Sequence, residues 1–297
     1  MTQGKPSMLL TGAGGQLGRE LAAALAPCGS LIACDHAALD LRDHQAISRV
    51  VRDASPQFIV NAGAYTAVDR AESERDVAFA INGDAPGVLA AEARRVGAVL
   101  IHYSTDYVFD GTQVTPYGED APVSPVNVYG ASKLAGEEAI ARSGAAALTL
   151  RTSWVYGRHG QNFFVTMRRL AAQRDEIRVV ADQHGVPNWT RALASATATL
   201  VQRGHDDLVR NAGLYHLSAG GATTWFDFAR AILADTSVRV TPIPSSEYPT
   251  PARRPAYGVL DSTRFARTFG FALPDWESML TQCVKAPAEP PERFQVN

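Results

Sequence analysis

Five short apolar runs, separated by stretches of helical periodicity, constrain this chain more than any other feature. MLLTG (8–12), LIAC (31–34), FIVNA (58–62), AVLIHYS (98–104) and AALTLRTS (146–153) each have the length of a strand. They are apolar nearly throughout rather than alternating, so both of their faces must be covered. LGRELAAALA (17–26), ERDVAFAINGDAPGVLAAEARRVG (74–97) and VYGASKLAGEEAIARSG (128–144) carry helical spacing. This alternation predicts an α/β fold, a doubly wound, Rossmann-like parallel sheet with helices on both faces. Such sheets bind ligands at the C-terminal ends of their strands.

After about residue 155 the alternation loosens. FFVTMRRLAAQ (163–173), RALASATATLVQR (191–203) and TTWFDFARAILAD (223–235) read as helices, DQHGVPNW (182–189) as a loop, and GLYHLS (213–218) as a strand. The run TPIPSSEYPTPARRP (241–255) is too rich in proline for a helix or a central strand. LPDW and a short helix follow it, so it is read as wrapping a folded lobe. The expected organisation is a dinucleotide-binding domain over 1–160, with a returning segment at about 189–220. A smaller mixed substrate lobe is expected over 161–188 and 221–297.

Composition excludes several classes. With 46% hydrophobic and 20% charged residues in 297, a sizeable core is expected. A net charge of −2 without a long basic run offers nothing to nucleic acid or to an anionic membrane. Cys28, Cys34 and Cys283 show no CxxC spacing, so a reducing cytoplasm is expected rather than a disulfide framework. MTQGKPS lacks a hydrophobic signal core, and no apolar run has the length of a membrane span. The seven histidines lack metal-ligand spacing, so no metal site is expected.

The first strand runs into TGAGGQLGRE, which places Gly12, Gly15 and Gly18 in a GxxGxxG spacing. One glycine lets the chain turn sharply, one lets backbone approach a pyrophosphate, and one lets helix and strand pack closely. The helix that starts near Gln16 and Leu17 offers unpaired N–H groups to phosphate. Asp35, at the end of the second strand, suits the ribose hydroxyls of NAD(H). Arg19 suits the extra phosphate of NADP(H), so the choice between the two cofactors stays open. Asp40 and Leu41 lie where a loop can close over adenine.

Thr105 and Asp106, in STDYVFDG, fall at the C-terminal edge of the fourth strand, and Tyr129 and Lys133 stand one helical turn apart. Alone, that pair reads as a surface turn with Lys133 bridged to Glu137. Combined with the glycine turn and Thr105, it reads as ketone-reducing machinery. A phenol holds its proton near neutrality, with an ordinary pKa of about 10, and a neighbouring ammonium lowers that value. Tyr129 then gives the proton, Lys133 tunes it and Thr105 orients the carbonyl.

NVYGASKLAGE, HYSTDYVFDG, NAGAYTAVDRAE, RTSWVYG and YPTPARRP together resemble the dTDP-4-dehydrorhamnose reductases of the extended short-chain dehydrogenase/reductase superfamily. The likeness runs from Met8 to about Leu280. It implies NAD(P)H-dependent reduction of the C4 ketone of dTDP-4-dehydro-L-rhamnose to dTDP-L-rhamnose, in the supply of cell-surface polysaccharide. It also implies that Lys133 holds the nicotinamide ribose, that Ala64, Tyr65 and Thr66 contact the cofactor, and that Trp154 contacts the sugar. Asp106 joins the substrate site, and Asn162, Gln183, Arg253 and Arg254 hold the nucleotide diphosphate. Related dehydratases carry Asp-Glu at the strand end, whereas here Tyr107 follows Asp106, which favours reduction. Some relatives bridge a dimer through magnesium held by glutamates. Glu20 matches one such position, but Arg191 stands where another glutamate is expected, so a monomer or weak homodimer without metal is expected. Two alternatives remain. One is a non-catalytic subunit like the regulatory subunit of methionine adenosyltransferase, and the other is a reductase of a different dTDP-4-keto-6-deoxy sugar, such as one giving a talose.

Overall fold

The computed structural model describes residues 5–286. The outer ends of the two expected domains, 1–4 and 287–297, and the start of MTQGKPS lie outside the described residues. Six strands form the main sheet: β1 (Ser7–Thr11), β2 (Ser30–Cys34), β3 (Phe58–Asn61), β4 (Val99–Thr105), β5 (Ala147–Thr152) and β6 (Gly213–His216). Their order is β2-β1-β3-β4-β5-β6 and every neighbouring pair is parallel. The order reverses at β1, which has β2 on one side and β3 on the other. The crevice above that switch point is the natural ligand site of an open parallel sheet.

The apolar runs are explained by cores on both faces. Successive strand residues point to opposite sides. Met8 and Leu10 join Phe58, Val60, Val99 and Ile101 in a core with helices Gln16–Leu25 and Thr190–Gln202. Leu9, Ile59 and Leu100 face the other way, into a core with helices His44–Ala54 and Ala85–Val96. Each fully buried aliphatic side chain contributes roughly 1.5–3 kcal/mol. The segment after β5 returns to this sheet, since Thr190–Gln202 packs on Gln16–Leu25 and β6 pairs with β5.

Two helical features depart from expectation. Helix His44–Ala54 was not anticipated. It buries only Ile47 and Val51, and Asp43 caps it by accepting from the Ala46 N–H at 2.8 Å. Residues 74–97 do not form one helix. Arg75–Phe79 and Ala85–Val96 are joined by a π-helical turn, Ala80–Asp84. The wider turn aims Asn82 inward. Its side chain accepts from the Tyr65 N–H at 2.8 Å and donates to the Tyr65 carbonyl at 2.9 Å, fixing the loop after β3.

A second core gathers Tyr156, Phe164, Ile177, Trp189, Phe228, Trp276 and Met279 around helices Phe163–Ala171, Trp225–Ile232 and Trp276–Lys285. The proline-rich run begins inside a strand, since Arg239–Ile243 pairs in parallel with Glu176–Val180. A two-stranded sheet has only edges, so Pro242 is tolerated there. The loop 182–189 also contributes short strands. His184–Gly185 pairs with Thr223–Thr224, and Asn188–Trp189 pairs with Val155–Tyr156. Among the described residues no helix is long and apolar enough to cross a membrane.

Candidate active site

The glycines are explained by close backbone contacts across the switch point. Gly12 has φ +73°, in the left-handed region. A Cβ there would collide with the Gly63 backbone, and a Cβ on Gly18 would collide with the Gly12 carbonyl. Leu41 Cδ1 would lie 2.6 Å from a Cβ on Gly63. The turns after β1 and β3 therefore touch as bare backbone, and helix Gln16–Leu25 starts directly from Gly15.

These turns wall a cleft of about 650 Å³. Of the residues expected to hold the cofactor, Gly12, Gly15, Gln16, Leu17, Asp35, Asp40, Leu41, Ala64, Thr66, Tyr129 and Lys133 line it. Glycine cradle, helix start and cleft volume suit a dinucleotide. Three residues stand outside the lining. Gly18 serves helix packing. Arg19 is turned back, its Nε donating to the Gly14 carbonyl at 3.3 Å. The Tyr65 hydroxyl donates to Glu74 at 2.6 Å, so only its backbone serves the loop. Asp35 accepts from the Ala38 N–H at 2.9 Å and caps the turn after β2. The Arg42 guanidinium beside Asp40 holds that carboxyl down at about 2. Gly14, His36, Ile81, Ser104 and Thr152 also line the cleft and were not anticipated. Gly14 had a visible signal as the middle glycine of GAGG. Overpacking of the kind that Gly18→Ala creates costs about 1–3 kcal/mol. That substitution should therefore weaken cofactor binding roughly tenfold, as read by fluorescence titration; unchanged affinity would contradict the cradle.

Tyr129 sits in the first turn of helix Val128–Ser143. Asn127 caps that helix, its Oδ1 accepting from the Gly130 N–H at 2.8 Å. Gly130 packs against the Tyr107 carbonyl, and Gly136 against that of Asn82, where a Cβ on either would collide. The helix lies this close because it lacks those side chains. Lys133 is 2% exposed, which excludes the surface-turn reading. Its Nζ donates to the Tyr103 carbonyl at 2.6 Å and lies 3.3 Å from His102 Nε2. Glu137 is occupied by Arg151, with Nε at 2.9 Å and Nη2 at 2.6 Å, and by the Ser104 hydroxyl.

The expected lowering of the Tyr129 pKa is reversed. Burial pushes the phenol up to about 12, against a hydrogen bond with Thr105 and together with the negative charge of Asp106. Burial also pushes Lys133 down to about 8, against the pull of Glu137. Removing both groups from water outweighs any mutual charge stabilisation. Tyr129 is therefore a firmly protonated donor. The Thr105 hydroxyl donates to Asp106 Oδ1 at 3.1 Å and accepts from the Tyr107 N–H at 3.2 Å. Burial raises the Asp106 carboxyl to about 7. Tyr107, at the dehydratase glutamate position, packs its ring edge-on to Tyr129 at 5.6 Å.

The residues expected on the substrate side are scattered in role. Trp154 has φ +40°, unusual for a bulky residue. It is held by a flat stack on Trp225, with centroids 3.5 Å apart, and by Gly185, where a Cβ would collide with the indole. Trp225 was missed because nothing in the sequence links it to Trp154. Asn162 caps helix Phe163–Ala171, and its amide donates to Gln16 at 3.1 Å and to the Gly157 and His159 carbonyls. Both ends of its side-chain amide are thus engaged within the chain. Gln183 is half-buried in the loop 182–189. Arg254 is fully engaged with Asp69 at 2.8 and 3.0 Å, leaving Arg253, exposed and without an ion-pair partner among the described residues, as the available guanidinium. Asn127 fixes the Arg253 carbonyl at 2.7 Å, directly beside the Tyr129 helix. Arg191 Nε donates to Glu20 at 3.1 Å. Among the described residues no group of three or more His, Cys, Asp or Glu side chains gathers as for a metal.

Known proteins resemble this chain in sequence and fold. The family model for the RmlD substrate binding domain matches residues 6–288. The dTDP-4-dehydrorhamnose reductase of Burkholderia thailandensis is 46% identical over 291 residues, covering 94% of this chain and 98% of the relative. That of Escherichia coli K12 is 43% identical over 285 residues, covering 91% and 94%. Among solved structures, the dTDP-4-dehydrorhamnose reductase of Bacillus anthracis in complex with NADP superposes with a TM-score of 0.87 at 37% identity, covering 94% and 99%.

Proposed function

The chain belongs to the RmlD substrate binding domain family, and on that premise we propose that it reduces the C4 ketone of dTDP-4-dehydro-L-rhamnose to dTDP-L-rhamnose with NADPH or NADH. The observation that carries this is the meeting of Tyr129, Lys133 and the glycine turn in one cleft. A reduced nicotinamide bound there supplies the hydride. The half-buried Tyr129 phenol supplies the proton to the ketone oxygen, and its high pKa keeps that proton in place until charge develops on the oxygen. Lys133 lines the cleft beside Tyr129 and would hold the nicotinamide ribose. Thr105 orients the carbonyl by turning its hydroxyl from Asp106 toward the substrate. A protonated Asp106 no longer competes for that hydroxyl as a carboxylate does.

The proposal divides the chain into a dinucleotide-binding domain, 1–160 with a return at about 189–220, and a substrate lobe, 161–188 and 221–297. Two of the cores favour the division, although Phe265 and Phe269 of the lobe pack into the sheet core and Tyr156 and Trp189 pack into the second core. The Trp154–Trp225 stack offers an apolar face to the sugar nucleotide, and Arg253 its charge to the diphosphate. Three free cysteines suit a cytoplasmic enzyme. The Arg191–Glu20 pair suits a monomer or weak homodimer without a bridging metal.

Mixing the protein with the keto sugar and each reduced nicotinamide tests the activity. Oxidation of the cofactor that depends on the sugar is expected; binding without turnover would favour a regulatory role. Arg253→Ala should raise the substrate KM roughly tenfold or more, as loss of a charged hydrogen bond of about 1.5–3 kcal/mol implies, with little change in the cofactor KM. Equal effects on both would remove Arg253 from the sugar-nucleotide site.

A further inference from the structure

Behind the site, the sheet carries a row of buried polar side chains that neither hydride nor proton transfer uses. Thr11, Asn61 and His102 are register partners on β1, β3 and β4, and all three are buried. Thr11 Oγ1 donates to Asn61 Oδ1 at 2.7 Å, and Asn61 Nδ2 lies 3.0 Å from His102 Nδ1. His102 Nε2 ends the row 3.3 Å from Lys133 Nζ.

The backbone sets the direction of this row. The Gly63 N–H donates to Asn61 Oδ1 at 3.2 Å. A backbone N–H can only donate, so the oxygen of the Asn61 amide faces Gly63 and its NH₂ faces His102. His102 Nδ1 is then an acceptor. Burial keeps the imidazole neutral, and a neutral ring with a bare Nδ1 carries its proton on Nε2. That N–H faces Lys133. An amine can accept from it through its lone pair, whereas an ammonium has no lone pair and meets it donor to donor.

We propose that Asn61 is a positioning residue acting through His102: it fixes the imidazole tautomer that presents Nε2–H to Lys133, and so favours the amine over the ammonium at that side chain. This rests on the place given to Lys133 in the proposed reaction. The other groups facing Lys133 do not supply the same bias. The Tyr103 carbonyl on β4 accepts from either form. Glu137, on its own helix, favours the ammonium but is bound by Arg151 of β5. Tyr129 is half-buried and its phenol pKa is raised, with Asp106 beyond it. The His102 N–H and burial therefore work in the same direction.

Asn61→Asp tests this with almost no change of shape. One carboxylate oxygen keeps Thr11 and Gly63, while the other replaces the NH₂ and can accept from Nδ1–H. The tautomer then reverses, and Nε2 becomes an acceptor for the ammonium. Nitrogen NMR of the full chain should place the His102 proton on Nε2 in the wild type and on Nδ1 in the variant. The Lys133 Nζ resonance should titrate at higher pH in the variant, by about one unit, a tenfold change in the amine-to-ammonium ratio. Rescue of the wild-type titration is expected with Asn61→Gln only if its amide regains the His102 contact, read in the same spectra. A wild-type proton on Nδ1 would overturn the proposal even if no variant folds, as would a reversed tautomer with an unmoved Lys133 titration. These readouts do not depend on turnover. A failure of the protein to reduce the keto sugar would remove the catalytic role of Lys133 while leaving the tautomer measurable.

Discussion

Tyr129→Phe should lower turnover by roughly two to four orders of magnitude, the usual contribution of a positioned general acid, while cofactor affinity stays nearly unchanged. The phenylalanine keeps the ring that packs edge-on against Tyr107, so the helix start and the cleft wall survive. Only the hydroxyl is lost. Asp106 is another buried group able to hold a proton near the site, since burial raises its carboxyl to about 7. Activity retained by Tyr129→Phe but lost in Asp106→Asn would transfer the donor role to Asp106. Single-turnover rates with the keto sugar, beside a cofactor titration of each variant, separate these outcomes.

Glu137→Ala should produce the largest loss of stability, about 3–5 kcal/mol, because it leaves a buried charge without its counter-charge. Arg151 is 3% exposed and Glu137 8% exposed. The carboxylate receives two guanidinium nitrogens and the Ser104 hydroxyl, while the guanidinium also lies over the Phe109 ring at 5.1 Å. Arg151 Nη1 already lacks a partner, so removal of the carboxylate strands the whole group between β5 and the Tyr129 helix. Denaturant unfolding measures the loss. A change below about 1 kcal/mol would place the pair in the class of weak surface bridges and contradict its burial.

The parts of this molecule that were readable in the sequence are those where local geometry dictates residue type. Gly12 and Gly18 announce themselves because any Cβ would strike backbone. Tyr129 and Lys133 are readable because helical spacing puts them on one face, and the two-sided burial of β3, β4 and β5 shows as unbroken apolar runs. What sequence reading missed depends on partners far away along the chain. Arg254 looks equivalent to Arg253 until Asp69 is found beside it. The π-helical turn accompanies the reach of Asn82 to Tyr65, which helical periodicity does not encode. Trp154 was readable as an aromatic at a strand end, but not its stack on Trp225. Asn162 is a different case, because an asparagine directly before FFVTMRR is a helix-capping signal that was available. The pKa of Tyr129 was misjudged because spacing reveals the neighbouring lysine but not the burial of both groups.

In the proposed reaction this cleft delivers a hydride to C4 of a dTDP-4-keto-6-deoxy sugar and Tyr129 completes the alcohol. Turnover with nicotinamide deuterated at the transferred position, followed by proton NMR of the product, tests it most directly. One deuterium at C4 of a product with the L-rhamnose configuration is predicted. Deuterium at another carbon, a talose configuration, or no sugar-dependent transfer at all would contradict it.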